Sequence, residues 1–184
     1  MSGAAEAGID DALALAAGGD DDAFARLVRQ HQAMVFSVAY HFLHNRTLAE
    51  DIAQDVFVDL YRNIRSIQSA AHLKHWLRKV ASHRSIDHAR ARGGNVEVNL
   101  DETAELADPV EEPDPLLRDR LRRMVASLPE RARLVVILRF QEELEYHEIA
   151  EALEMPINTV KSNLQRALAI LRGKLVRALG DVPV

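Results

Sequence analysis

The densest run of groups able to read a nucleic acid lies between residues 158 and 166, where Asn158, Thr159, Lys161, Ser162, Gln165 and Arg166 alternate with apolar positions. Amides and hydroxyls can pair with base edges, and lysine and arginine can hydrogen-bond guanine or phosphate, so these types on one helix face suit a DNA major groove. Val160, Leu164, Leu168 and Leu171 recur every three or four residues and supply the opposite, buried face. Upstream, Ile149, Ala150 and Leu153 form a second one-sided stripe, which Pro156 stops because proline lacks the amide donor and clashes with the preceding turn. The first helix should therefore end at or near Glu154, and the second should restart with Asn158 or Thr159 as its N-cap. Residues 146–171 thus read as a helix-turn-helix whose second helix would enter the groove. An ordinary helical hairpin with a solvated polar face fits the same pattern, so the surroundings must decide.

Charge is the first of those surroundings. The net charge of −5 is unexpected for a DNA binder until the charges are located. From His72 to Arg92 there are six basic residues, Lys74, Arg78, Lys79, Arg84, Arg90 and Arg92, against Asp87 alone; from Asn158 to Arg177 there are five and no acid. Phosphate contact depends on such local fields more than on total charge. The absence of cysteine excludes disulfides and thiolate metal sites. No apolar run approaches the roughly 20 residues that span a bilayer, so no membrane insertion is expected. The first 22 residues hold six acids and no Lys or Arg, the reverse of a secretory leader, which makes cytoplasmic the default location.

The elements that must position these groups all read as helices. Residues 1–19, acidic and weakly patterned, are expected to be a tail or a short helix. Asp20 then caps a helix of about six turns bearing Phe24, Leu27, Val28, His31, Val35, Val38, Ala39 and Phe42, with His31 and His41 completing its surface. Thr47 and Glu50 have capping-box spacing ahead of a second stripe, Ile52, Val56, Phe57, Leu60, Tyr61 and Ile64, whose opposite face keeps Asp51, Gln54, Asp55 and Asp59. A third helix turns Leu73, Trp76, Leu77, Val80 and Ala81 inward and its basic residues outward, and Gly93-Gly94 closes this unit. Residues 94–115 then carry eight acids, no Lys or Arg, and prolines at 109, 113 and 115. A stretch of roughly 20 residues without periodicity is a linker rather than a loop of a compact domain. A second unit, 116–184, opens with Leu117, Leu121, Val125 and Leu128. Ser127 and Glu130 give it a second capping box, and a helix carrying Leu134–Leu138 and Phe140 leads into the helix-turn-helix. The expected fold is all-α: two small helical domains joined by an acidic flexible linker, the C-terminal one containing the helix-turn-helix.

In this order the motifs resemble those of the extracytoplasmic-function (ECF) sigma factors of the sigma-70 family, two-domain subunits that direct bacterial RNA polymerase to promoters. The resemblance covers about residues 22–175. It rests on Leu48-Ala-Glu-Asp-Ile-Ala-Gln-Asp-Val-Phe57, Trp76-Leu-Arg-Lys-Val-Ala81 with Ile86-Asp87, Leu128-Pro-Glu-Arg131, Glu148-Ile-Ala150 and Thr159-Val-Lys-Ser162. It implies that residues 20–93 are sigma region 2, which binds core polymerase and the minus-ten element, and that 116–184 are region 4, which binds the minus-35 element. Asp51, Gln54 and Asp55 would dock on the polymerase clamp. Arg78, Lys79, His83, Arg84, Asp87, His88, Arg90 and Arg92 would meet the minus-ten strand, and the six residues from Asn158 to Arg166 the minus-35 duplex. Core RNA polymerase, promoter DNA and an anti-sigma factor are the implied partners, no cofactor is needed, and the protein is not an enzyme. The chain departs from the family at Ser82-His83, where many relatives show Arg-Asn, at Glu154, where many have a glycine suited to positive φ, and at Asn163, a frequent arginine.

Three other readings compete. A helix-turn-helix regulator acting without polymerase would need a dimerisation surface or ligand pocket in place of a basic third helix and an acidic linker. A sigma-like interaction module would keep the fold and lack promoter activity. A metalloenzyme is suggested by the His41/His44 and His72/His75 pairs at i, i+3, but there is no H-E-x-x-H and neither pair has an evident carboxylate partner on its face.

Overall fold

The computed structural model describes residues 2–91 and 115–180, so Arg92, Gly93-Gly94 and almost all of the acidic linker lie outside the described residues. Those residues are helical, with no strand among them. The first half comprises α1 (Ser2–Ala17), α2 (Asp21–Leu43), α3 (Arg46–Asn63), a short 3-10 turn (Ile64–Ser66) and α4 (Ala70–Ala91). The second comprises α5 (Pro115–Ala126), α6 (Glu130–Phe140), α7 (Tyr146–Ala152) and α8 (Ile157–Gly180).

α2 is the axis of the first half, packing against α1, α3 and α4. Asp20 starts it by accepting the Ala23 amide at 2.8 Å, and Leu27, Val35, Val38, Ala39 and Phe42 are wholly buried along its inner face. His31, expected at the surface, is buried there too, because its position continues the Leu27–Val35 stripe toward α4. The acidic N-terminal segment is not a tail. Ile9, Ala12, Leu13 and Ala16 share one helical face and bury against α2 and α4, while Asp10 accepts the amide of Ala70 at 2.7 Å and so holds the start of α4.

Both expected capping boxes are replaced. Asn45 caps α3, accepting the Leu48 amide at 2.9 Å, and Glu50 pairs with Arg46 one turn away at 2.9 Å. An asparagine carboxamide upstream of Thr47 offers the acceptor first, and the helix starts two residues earlier than the Thr-x-x-Glu spacing suggests. At the second site Pro129 precedes α6, and Ser127 Oγ donates to the Met124 carbonyl. Within α3, Ile52, Val56, Phe57 and Leu60 are buried as expected, whereas Tyr61 stays outside with its ring edge-on to Phe24.

In the second half Leu134, Val135 and Leu138 of α6 are fully buried, together with Ile149 of α7 and Val160 and Ala167 of α8. Ala167 takes the place in the core expected for Leu168, which is exposed: it continues the Val160–Leu164 face of α8 at helical spacing. α5 is the least covered helix, with Leu117 and Leu121 of its expected stripe exposed.

The two halves are not kept apart. α6 packs on α2 and α7 on α4. Arg133 of α6 is 4% exposed; its guanidinium lies 4.9 Å from the centroid of the Phe42 ring and donates to the Phe42 carbonyl at the end of α2 and the Leu128 carbonyl, each at 3.2 Å, and to the Ala126 carbonyl. A cation placed where three carbonyls converge offsets part of the cost of its own burial.

Candidate nucleic-acid and polymerase interfaces

The helix-turn-helix is built from α7 and α8. The Glu148 carboxylate accepts the Glu145 amide at 2.8 Å and so starts α7. α7 ends in a tight turn in which the Leu153 amide returns to Ile149 and the Met155 amide to Ala150, both at 3.0 Å. Closing that turn requires a left-handed residue, and Glu154 adopts it, with φ of 50°. The departure from glycine noted in the sequence therefore falls on the one residue here that carries backbone strain. Pro156 ends the turn by accepting the amides of Thr159 at 2.8 Å and Val160 at 3.1 Å, so α8 starts at Ile157, one or two residues before the expected caps.

With Val160, Leu164 and Ala167 buried, Asn158, Lys161, Gln165 and Arg166 are exposed and Thr159 and Ser162 half-buried at the edge of the same face. Ser162 Oγ and Asn163 Nδ2 both donate to the Thr159 carbonyl, at 3.0 and 2.9 Å, which leaves the outer amides and cations to the solvent side. Lys161 Nζ stands 5.8 Å from the Tyr146 ring centroid, a contact that aims the ammonium without neutralising it.

The basic face of α4 has a different environment. Arg78 lies 3.7 Å from Glu142, Lys79 2.7 Å from Glu154, His75 3.9 Å from Glu151 and Arg90 3.1 Å from Glu130, and all four carboxylates belong to the second half. His83, Asp87 and Arg90 line a cavity of about 250 Å3 closed on its far side by Arg131, Leu134, Leu153 and Met155. His88 is half-buried with its Nε2 enclosed, and Arg92 lies outside the described residues. Ser82 is fully buried, so of the Ser82-His83 pair only His83 reaches the surface. Burial raises the Glu142 carboxyl above its usual value, against the opposing pull of Arg78 and a hydrogen bond from Ser37. The hydrogen bond and charge of Lys79 lower that of Glu154.

Asp51, Gln54 and Asp55 share the exposed face of α3. Asp55 is engaged there: Arg84 of α4 bridges it at 2.8 Å and Asp59 at 2.5 Å, joining two residue sets that the sequence kept separate. Beside them opens an apolar groove of about 1090 Å3, lined by Phe24, Val28, Phe36, Phe57, Val58 and Tyr61 with Gln54 on its rim. Sequence patterning missed it because Phe24, Val28 and Phe57 read as ordinary core positions. The exposed Val58 and Tyr61 on the outer side of α3 were the available signal.

The chain matches the family models for sigma-70 region 2 over residues 27–94 and sigma-70 region 4 over 118–171. It is 30% identical over 170 residues to the ECF RNA polymerase sigma factor SigW of Bacillus subtilis, covering 85% of this chain and 91% of that one. Its fold is similar to that of CnrH in complex with the cytosolic domain of CnrY, at a TM-score of 0.70 and 21% identity over 92% of this chain and 98% of that one. It is also similar to that of the sigma factor RpoE in complex with the anti-sigma factor NepR from Bartonella quintana, at 0.65 and 22% over 83% and 96%. A helical pair of units, one carrying the basic helix α4 and the other a helix-turn-helix, defines a sigma-70-type architecture. Within that class the chain belongs to the ECF RNA polymerase sigma factors. It is accordingly an alternative sigma factor, a DNA-binding protein that works with core RNA polymerase in transcription initiation.

Proposed function

We propose that α8 reads the minus-35 element through Asn158, Thr159, Lys161, Ser162, Gln165 and Arg166, and that α4 grips the minus-ten region through Arg78, Lys79, His83, Arg84, Asp87, His88 and Arg90, together with Arg92, which lies outside the described residues. Asp51, Gln54 and Asp55 dock on polymerase, and the apolar groove beside them enlarges that contact. On this reading residues 20–93 and 116–184 act as the two promoter-binding units, with 94–115 as the tether. The observation that carries it is the outer face of α8, where cations and amides stand exposed opposite a buried stripe. Lys161 and Arg166 supply phosphate or guanine contacts, and the amides and hydroxyls supply base discrimination.

The role is non-enzymatic and belongs in the cytoplasm with the polymerase; no helix among the described residues is long and apolar enough to cross a membrane. An anti-sigma factor is the proposed regulator, supported by the similarity to a sigma factor solved with one. The acidic tether passes along polymerase surfaces that otherwise hold nucleic acid, its carboxylates standing in for phosphates. The test is to add the protein to core RNA polymerase and map transcripts from genomic fragments. Promoter-specific transcripts are expected; tight binding to core polymerase without any transcript would instead identify an interaction module.

A further inference from the structure

A third cavity, of about 260 Å3, lies where the end of α2 meets α5 and α6, away from the surfaces assigned to DNA and polymerase. Its apolar wall runs from the buried Val136 and Ile137 of α6 to the exposed Leu121 of α5 and Phe140 of α6. His41 and His44 of α2, Arg122 of α5 and Gln141 after α6 supply its polar groups, and no acid lines it. An apolar chamber with a few converging polar groups is the general form of a small-molecule site, and this volume falls below the roughly 300 Å3 at which drug-sized pockets begin. The occupant must be correspondingly small.

Charge decides its kind. Burial first, then the positive charges of His41, Arg133 and Arg122, lowers the pKa of His44 to about 4, so its ring stays neutral within a positive field. That field repels a cation, which argues against the His41/His44 pair as metal ligands, and attracts an anion. Arg122 is the group able to hold one. It is half-buried and pairs with Asp119 one turn away at 3.5 Å, a long contact near the surface that a ligand carboxylate can displace at little cost. Leu121 and Phe140, left exposed by the chain, gain from being covered by an apolar body.

We propose that this cavity binds a small organic carboxylate, its apolar body against Leu121, Val136, Ile137 and Phe140 and its carboxylate on Arg122. Because the walls come from three helices, one ligand touches α2, α5 and α6 together, and the subunit takes an input from a small metabolite directly rather than through a protein partner. The site does not depend on the assignment of α4 and α8 to promoter DNA.

The test titrates the full chain at constant ionic strength with benzoate, phenylacetate and hexanoate, and with benzamide as the uncharged counterpart of benzoate, following the His41 and His44 ring resonances by NMR. A dissociation constant on the order of 1 mM is expected for ligands of so few atoms. Benzamide should bind at least about tenfold more weakly than benzoate. R122Q should weaken benzoate binding by about tenfold, whereas R120Q, which removes an exposed arginine of the same helix outside the cavity, should change it by less than about twofold. V125F, which fills the cavity from a half-buried position on α5, should abolish saturable binding. Failure of all three carboxylates to bind, equal binding of benzamide, or saturable binding that leaves His44 unshifted or is unaffected by either R122Q or V125F would overturn the site. R122Q decides the matter alone if V125F does not fold.

Discussion

Replacing His44 by asparagine should flatten the acid limb of the protein's stability curve. His44 ends α2 in the left-handed conformation, φ 51°, with its amide donating to the Tyr40 carbonyl at 2.8 Å, its ring 6% exposed and its Nε2 without a hydrogen-bond partner. Burial first, then the positive charges of His41, Arg133 and Arg122, lowers its pKa from 6.5 to about 4. Above pH 6.5 the ring is neutral in both folded and unfolded chains and contributes no pH dependence. Below that value the unfolded chain takes up a proton that the fold refuses, so stability falls with pH until about pH 4. At about 1.36 kcal/mol per pH unit the loss is on the order of 3 kcal/mol, a large share of a typical domain's 5–15 kcal/mol. His31 acts in the same direction, lowered by burial and by Lys74 and Arg78. Glu142 opposes both: burial raises its pKa above 4.5, so its contribution is present below 4.5 and is lost as pH rises through the raised value. Asparagine tolerates the left-handed conformation and keeps the amide-to-Tyr40 bond, so H44N should fold with a changed baseline and a shallower slope. Urea unfolding followed by circular dichroism, from about pH 7.5 down to about pH 5, measures this. Equal slopes for the two proteins between about pH 6.5 and 5 would refute the assignment of the acid loss to His44.

Three further outcomes follow from named contacts. N45A should cost about 1 kcal/mol and T47A much less, because Asn45 and not Thr47 caps α3; equal losses in thermal unfolding would reinstate the Thr-x-x-Glu box. L138A, which empties a fully buried site in α6, should cost about 3 kcal/mol in urea unfolding, and a loss under about 1 would mean the second half is loosely packed. R166A should weaken use of the upstream promoter element in transcription with core polymerase, and unchanged promoter choice would remove Arg166 from the reading face.

Much of the helical framework was legible because period and burial agree. The stripes Leu27–Phe42, Ile52–Leu60 and Leu73–Ala81 each present one face at helical spacing, and a helix with such a face has few alternatives to burying it. The strained turn was legible in two ways: Pro156 marks where α7 must end, and the resemblance, with its frequent glycine at the place of Glu154, implied the φ above zero found there. Caps were less so: several acceptors lie near each helix start, and hydrogen-bond geometry, which spacing does not encode, selects Asn45 over Thr47. The choice of Ala167 over Leu168 depends on which side of α8 faces α6, a tertiary quantity. Least legible was the closure of the two halves. A basic helix and an acidic turn 60 to 80 positions apart reveal complementary charge but not whether they meet, and the acidic tether between them argued for separation. The buried role of Arg133 was hidden for the same reason, as its acceptors are carbonyls, which every residue has.

Arg84 carries one further consequence. A single guanidinium that bridges Asp55 and Asp59 has little capacity left for a phosphate, and on the proposed assignment Asp55 is also a polymerase contact. Two binding equilibria then share one charge: a polymerase cation that takes Asp55 releases Arg84 toward DNA, and a phosphate that takes Arg84 releases Asp55 toward polymerase. Linkage of this kind is reciprocal, so whatever factor polymerase adds to the DNA affinity of α4 through this arginine, DNA must return to the polymerase affinity of α3. Cooperativity between holoenzyme assembly and promoter capture would then be set by one side chain between two helices, without any movement of the backbone.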